Sequence, residues 1–529
     1  MLSRILNLKY LDLMVGIFIF AYISYFQAWL SDDAFISFRV VDNFVNGYGL
    51  RWNIAERVQV FTNPLLVLIL SPLYYLWRNI VAISFITSFI FGIGSIYLLK
   101  KIAVSRLSFV VSILFLFSSV TFFDYVFSGL ENSLNYLIEA SFFYYLWKDE
   151  DSPKGKLPIC TFLISIAVVS RFDFVLIFAI PYIVLLYSEY SKNRINRKVI
   201  LLSILGLLPI ILWLLFSGFY FGSFLPNTYF AKTNILEPFP DIVLQGLKYF
   251  KFQFFWDPIS FIFIPLVFLI HLAFKQLRWA LPIAFLYAVP FLFYILFIGG
   301  DFMAGRFFTS VVFFFGLVLA RLPFRLKDGL ITILLVIIYN FLFQFTPIHV
   351  DQIGSLSKNF VDGIANEKNI YYSKTAFRHR NTSGSILYKL ARRAKLYKVD
   401  DSVVLRGQIG IFGYSLGPNY HIIDFYALSD ALLSRLRGYG RVGHKKRFLP
   451  KGYIEGIKSG KNEITDLGLK EYYDGIRILT REYVWDKRRL ELFWKYQFGK
   501  LRKYDAIYEF GKIQIENYPR IKIDTSLSE

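Results

Sequence analysis

The chain has one cysteine, Cys160, so an intramolecular disulfide cannot form and a cysteine-cluster metal site is excluded. Charge is scarce as well. Asp, Glu, Lys and Arg make up 18% of the 529 residues, against about 25% in soluble globular domains. Acids are the scarcer sign, 38 against 59 bases, and the formal net charge is +21. Such a balance suits anionic lipid headgroups or phosphate-bearing substrates. A nucleotide fingerprint is missing: the glycines of Gly407-Gln408-Ile409-Gly410-Ile411-Phe412-Gly413 have the wrong spacing. No internal repeat of the kind common in transporters is evident. No small-residue cleavage site follows the first apolar run, which therefore reads as a retained span and not a signal peptide.

What the chain has is hydrophobic length. Apolar residues reach 56% and aromatics 19%, with a mean hydropathy of +0.48. Apolar runs fall near 11–30, 63–77, 79–99, 107–123, 131–147, 157–171, 172–187, 199–221, 258–274, 279–298, 306–321 and 328–346. Several approach the roughly 20 helical residues that cross a hydrocarbon core. Basic clusters at Arg4/Lys9, Lys100-Lys101-Arg106, Lys148/Lys154/Lys156, Lys192–Lys198, Lys275/Arg278 and Arg321–Lys327 mark cytoplasmic ends. Keeping all of them inside means that one of the three runs between Lys9 and Lys100 does not cross, and the shortest, 63–77, which begins Thr62-Asn63-Pro64, is assigned to a helix at the outer surface. The expectation is an α-helical polytopic membrane protein of about eleven spans, N-terminus cytoplasmic and C-terminus outside. Residues 1–346 would form the transmembrane domain, with an outer loop 31–78 carrying juxtamembrane helices. Residues 347–529 are richer in charge and predict a soluble α/β domain, with strands at 402–405 and 421–426.

This topology gathers polar residues on the outer face. Asp32 and Asp33 open a predicted helix in which Phe35, Ile36, Phe38, Val41, Phe44 and Val45 recur at near-helical spacing, with Arg39 about two turns from Asp32. An amphipathic helix on the membrane surface is expected there. Glu131 follows Ser128-Gly129-Leu130 and could cap its span. Arg171 and Asp173 could pair with each other. Lys232 lies in the loop 222–257, and Asp301 and Arg306 in Gly299-Gly300-Asp301-Phe302-Met303-Ala304-Gly305-Arg306. Sugar transfer from a polyprenyl-phosphate donor would use these groups. A carboxylate of Asp32 or Asp33 takes the proton from an acceptor hydroxyl, and Lys232, Arg306 and Arg171 meet the leaving phosphate. The same residues leave room for a lipid-linked glycan flippase or an envelope assembly protein.

Ordered motifs carry a resemblance. The segment Asp32-Asp33-Ala34-Phe35-Ile36-Ser37-Phe38-Arg39 is followed by Asn46-Gly47-Tyr48-Gly49-Leu50, Glu56-Arg57-Val58 and Thr62-Asn63-Pro64-Leu65. Then come Ser128-Gly129-Leu130-Glu131, Pro226-Asn227-Thr228-Tyr229-Phe230-Ala231-Lys232 and Gly299-Gly300-Asp301-Phe302-Met303. Further on are Gly410-Ile411-Phe412-Gly413, Asp424 with Leu428-Ser429-Asp430, and Gly443-His444-Lys445-Lys446. Taken in order these resemble GT-C fold glycosyltransferases, in the branch of the mycobacterial terminal arabinofuranosyltransferase and its bacterial relatives.

The resemblance implies a catalytic aspartate in the first outer loop, Asp32 with Asp33 as the alternative. It also implies a polyprenyl-phosphate-sugar donor and a glycan, glycolipid or protein acceptor outside a bacterial plasma (inner) membrane, with no nucleic acid involved. Arg39, Glu56, Asn63, Glu131, Arg171, Asp173, Asn227, Lys232, Asp301, Arg306 and His444 become candidate substrate-binding residues. No cofactor is required, although some relatives use a divalent metal, for which Asp32, Asp33 and Glu56 offer oxygen ligands. Three departures stand out: Gln59-Val60-Phe61, Arg171-Phe172-Asp173 and His444-Lys445-Lys446 replace the family's usual Glu-Gly-Tyr, Arg-Pro-Asp and His-Glu-Lys. The two lost acids imply a changed donor sugar or acceptor.

Overall fold

The computed structural model describes residues 10–148, 155–235, 237–273, 280–343, 345–349, 360–379 and 402–497. The basic residues Arg4, Lys9, Lys154, Lys275 and Arg278, used above for orientation, lie outside them. The described chain is predominantly helical. Three helices are long and apolar enough to cross a membrane: Ile80–Ile102, Phe172–Ser191 and Arg197–Phe221. The number rises to six if three helix pairs separated by short breaks each count as one span. Several apolar runs, such as Pro64–Leu76 and Lys156–Ser170, form helices of fewer than 18 residues. The expected eleven spans are not established by helix length alone.

Contacts divide the chain into two compact units built from interleaved segments: 1–31, 81–210 and 239–380 in one, 32–80, 211–238 and 381–529 in the other. The first is a helical bundle. The Thr309–Arg321 helix is buried on every face from Thr309 to Ala320, so it has no polar stripe. Phe122 and Phe313 stack on Tyr136 with centroids 5.0 and 4.8 Å away. Phe20 packs among Phe89, Phe117, Phe123 and Phe127. Residues 360–379, beyond the last apolar helix, return to this bundle. Ala365 bonds to the backbone of Phe302 and Ala304, Thr375 Oγ1 accepts from Leu30 N–H, and Phe377 N–H donates to Ala28. Buried Lys368 pairs with Asp124 at 2.7 Å.

In the second unit the Asp32–Val45 helix packs against the Pro64–Leu76 and Gly410–Leu416 helices. The predicted helix is there, but protein covers most of it: Ala34 to Val41 are all buried. The two predicted strands form at Val403–Arg406 and His421–Asp424 and pair in parallel, Val403 opposite His421 and Arg406 opposite Asp424. A wider sheet does not form in this unit among the described residues. Its apolar core is instead helix and turn, with Ile423, Leu432, Leu433, Leu436, Tyr453, Leu469, Tyr472 and Ile476 buried together.

Two glycines explain the Gly-rich segment. A Cβ on Gly410 would sit 1.8 Å from the Asp32 carbonyl oxygen, and one on Gly413 would sit 2.4 Å from the Trp52 ring. Neither backbone oxygen nor a buried indole can move away cheaply. Gly410→Ala is therefore expected to destabilise the chain by about 3 kcal/mol, the upper end for overpacking. A thermal-unfolding comparison with wild type checks this, and an unchanged midpoint refutes the close approach.

Candidate functional site

In the second unit Asp32 is the first residue of its helix, and its carboxylate also caps another one. Oδ2 accepts from Gly410 N–H at 3.0 Å and Oδ1 from Ile411 N–H at 2.9 Å. Burial pushes its pKa above the ordinary 3.8, while the two amides and Arg406 pull the other way. Each oxygen keeps a further lone pair for a proton. Asp33, next along, is partly exposed.

Other expected binding residues here are engaged by the scaffold. Arg39 is 1% exposed. It donates to the carbonyls of Trp52, Gly413 and Tyr420 at 3.0, 2.8 and 3.0 Å, and its guanidinium lies 4.5 Å over the Trp52 ring. Burial lowers its pKa to about 9, so it stays charged at neutrality. Asn63 accepts from Ser37 at 3.0 Å and ties its helix to the Asp32–Val45 helix. Asn227 donates to the carbonyls of Ala427, Leu428 and Asp430 and accepts from Ser434, which fixes the following turn. These three residues hold structure in place, which leaves little of their bonding for a substrate.

Glu56 is buried with Arg481 Nη2 at 3.5 Å from Oε2, while Oε1 has no hydrogen-bond partner among the described residues. Tyr473 OH lies 3.1 Å from the same guanidinium nitrogen. Burial raises the Glu56 pKa from 4.5 to about 7, with Arg481 opposing and Asp430 reinforcing the rise. The folded state thus holds a proton that the unfolded chain has released. That stability is fully present below pH 4.5 and is lost as pH rises through about 7. Glu56→Gln is expected to flatten this loss, so that stability falls less between pH 5 and pH 8 than in wild type. Unfolding midpoints at pH 5 and pH 8 measure it; equal pH dependence in both proteins would refute it. Asp424, raised to about 7 by burial, keeps part of the dependence in the variant.

In the first unit five expected residues come together. Glu131 occupies the N-cap position of the Asn132–Trp147 helix, but its side chain makes no capping bond. Instead Oε1 lies 3.2 Å from Arg171 Nη1 and 3.4 Å from Arg306 Nη2. Arg171 also holds Asp173 through two bonds of 2.6 and 2.7 Å and faces the Phe307 ring at 4.8 Å. Arg306 Nη1 is 3.9 Å from Asp301 Oδ2 and 3.5 Å from Met303 Sδ. Two guanidiniums thus meet three carboxylates, a formal charge of −1 when all are ionised. Both arginines are neutralised by neighbouring acids, which makes them poorer phosphate partners than the sequence implied.

Tyrosines unmarked by the sequence reading complete this group. Tyr249 OH donates to Met303 O at 2.9 Å and accepts from Phe307 N–H at 3.3 Å, and Tyr125 OH donates to Ala304 O at 2.7 Å. A Cβ on Gly300, at φ +71°, would overlap the Tyr249 ring. The signal was a stripe: Gly246, Tyr249 and Gln253, spaced three and four apart, are the buried residues of the Phe239–Trp256 helix.

Among the described residues no group of three His, Cys, Asp or Glu side chains could hold a metal ion. The trio Asp32, Asp33 and Glu56 does not assemble one. No protein-family model, curated protein or solved structure matches the chain.

Proposed function

We propose that the chain is a GT-C type glycosyltransferase of a bacterial plasma membrane. It would move a sugar from a polyprenyl-phosphate donor to a glycan, glycolipid or protein acceptor on the outer face. The observation that carries the reading is Asp32: a carboxylate fixed by two backbone amides, with a pKa raised by burial. It opens the helix that follows the first apolar helix. The ordered motifs support the same reading.

In the proposed step, Asp32 takes the proton of an acceptor hydroxyl, whose oxygen attacks the anomeric carbon. The bond from that carbon to the phosphate oxygen breaks, and polyprenyl phosphate leaves with the electron pair. A base with a raised pKa suits this role, because proton transfer is most efficient when the pKa approaches the working pH. One displacement of this kind inverts the anomeric centre.

The test is release of polyprenyl phosphate from a labelled lipid-linked sugar by the chain in liposomes. Full activity in the Asp32→Asn, Asp33→Asn double variant would overturn the assignment.

One observation favours a second reading, a transporter of lipid-linked glycans. Glu139 lies midway along the apolar Asn132–Trp147 helix, fully buried, with no hydrogen-bond partner for either carboxyl oxygen among the described residues. Buried acids within spans are typical of transport pathways. Glycan movement across the bilayer that Glu139→Gln abolishes, without release of polyprenyl phosphate, would select this reading.

A further inference from the structure

The helix Arg197–Phe221 is long and apolar enough to cross a membrane. Toward its end Ile211, Leu212, Leu215 and Phe219 are exposed and recur at helical spacing. Such an outward apolar stripe on a span meets lipid.

The stripe continues past the end of the helix onto residues far along the chain. Trp485 packs edge-on against Phe219, with ring centroids 4.7 Å apart, and is itself 70% exposed. Arg489 is buried and donates to the carbonyls of Phe219 and Tyr220, each at 3.1 Å. These belong to the last turn of the span, whose carbonyls have no partner within the helix. Phe493 meets the Phe224 ring at 5.1 Å, and a Cβ on Gly218 would come within 3.1 Å of it. Arg489 and Phe493, four apart, therefore clamp the Lys487–Gln497 helix to the end of the span.

The opposite side of this short helix is apolar as well. Leu490 and Trp494, also four apart, are 58% and 52% exposed, and Tyr483 just before the helix is 72% exposed. Together with Trp485 they make an outward group of two indoles, a phenol and a leucine. A patch of this kind marks an interaction surface. Its makeup suits the boundary between lipid and water, where an aromatic ring buries its body and keeps its polar tip hydrated.

Charge does not single out another occupant. Bases outnumber acids five to three from Arg481 to Lys495. Three of the five are engaged within the protein: Arg481 with Glu56, Arg489 with the span carbonyls, and Arg488 with Asp486 and Glu482. Lys487 and Lys495 are exposed, and so is the acid Glu491. What selects a bilayer is continuity, since this surface extends the lipid-facing stripe of a span to which it is clamped.

We propose that Tyr483, Trp485, Leu490 and Trp494 form a lipid-binding surface, seated in the headgroup layer of the bilayer that the Arg197–Phe221 helix crosses. Lys487 and Lys495 flank it, with stems long enough to keep their ammonium groups among the phosphates. The surface goes beyond the transferase reading and does not depend on it.

The experiment uses the full chain with Cys160→Ala, which removes its one native thiol, in nanodiscs of phosphatidylcholine. A nitroxide is attached in turn to Leu490→Cys, Tyr483→Cys and Lys461→Cys, the last an exposed position in a polar turn. Its access to oxygen, which concentrates in lipid, is compared with its access to a nickel chelate, which stays in water. The oxygen-to-nickel ratio should be at least tenfold higher for Leu490→Cys and Tyr483→Cys than for Lys461→Cys. Added salt should not lower it, because burial of apolar area sets it. Trp485→Asp or Trp494→Asp, added to the Leu490→Cys chain, should cut its ratio at least threefold. The Lys461→Cys signal, unchanged by the same additions, shows that the fold persists.

Ratios within twofold of one another at the three positions would overturn the proposal. So would low access to both reagents at Leu490→Cys, with spin–spin broadening that unlabelled chain dilutes away, because a second copy then covers this face.

Discussion

Asp32→Asn is expected to slow sugar transfer by about 10²–10⁴-fold, the range that a positioned general base contributes. Asn is the informative substitution. It retains one oxygen for an amide of Gly410 or Ile411, and it sets an NH2 group against the other amide. The structural cost is about 1–3 kcal/mol, that of one unsatisfied buried donor. Ala would lose both bonds and confuse instability with lost chemistry. Asp33→Asn is expected to lower the rate less than tenfold. In wild type the deprotonated carboxylate is the active form, so the rate should climb with pH through the raised pKa of Asp32 and then level off. The Asn variant should show no such limb. Initial rates across pH, read beside unfolding midpoints, check both points. If Asp33→Asn is the variant that silences transfer, the base is Asp33 and Asp32 serves as the cap.

The largest stability effect should come from Glu131→Ala. Glu131 is fully buried, and one of its oxygens is approached by both Arg171 and Arg306. Removing it leaves two guanidiniums converging without the carboxylate between them. Breaking a buried charge set from one side costs about 3–5 kcal/mol. Glu131→Gln should cost less, because it keeps an acceptor. Asp173→Asn should also cost less, because Arg171 keeps Glu131. Inactivation half-lives in detergent at one temperature rank the three, since unfolding of such a chain is governed by rate. A Glu131→Ala half-life equal to that of Asp173→Asn would contradict the shared role.

Much of this was legible in the residues. Apolar periodicity after Asp32 announced a helix, and the flanking apolar positions marked both strands of the parallel pair. Association at a distance was not legible. Glu131 meets Arg171 across 40 residues and Arg306 across 175, separations that no local pattern encodes. Nor do residue types reveal what a polar group will bind. Arg39 on a half-apolar helix reads alike whether it awaits a phosphate or three carbonyls, and only packing with Trp52 and Gly413 decides. The glycines at 410 and 413 look like a flexible loop in sequence. Their reason is the backbone of Asp32 and the ring of Trp52, which lie far away along the chain.

The return of residues 360–379 to the first unit sets a clock on biogenesis. Leu30 finds its partner Thr375 across 345 residues. At about 5–20 residues per second of synthesis, the first apolar helix waits tens of seconds before its end is secured. During that interval Asp124 lacks the cation of Lys368, and the nascent bundle depends on whatever the translocation machinery or lipid offers it. A premature stop after the Leu326–Leu342 helix would remove both of these partners from the first unit.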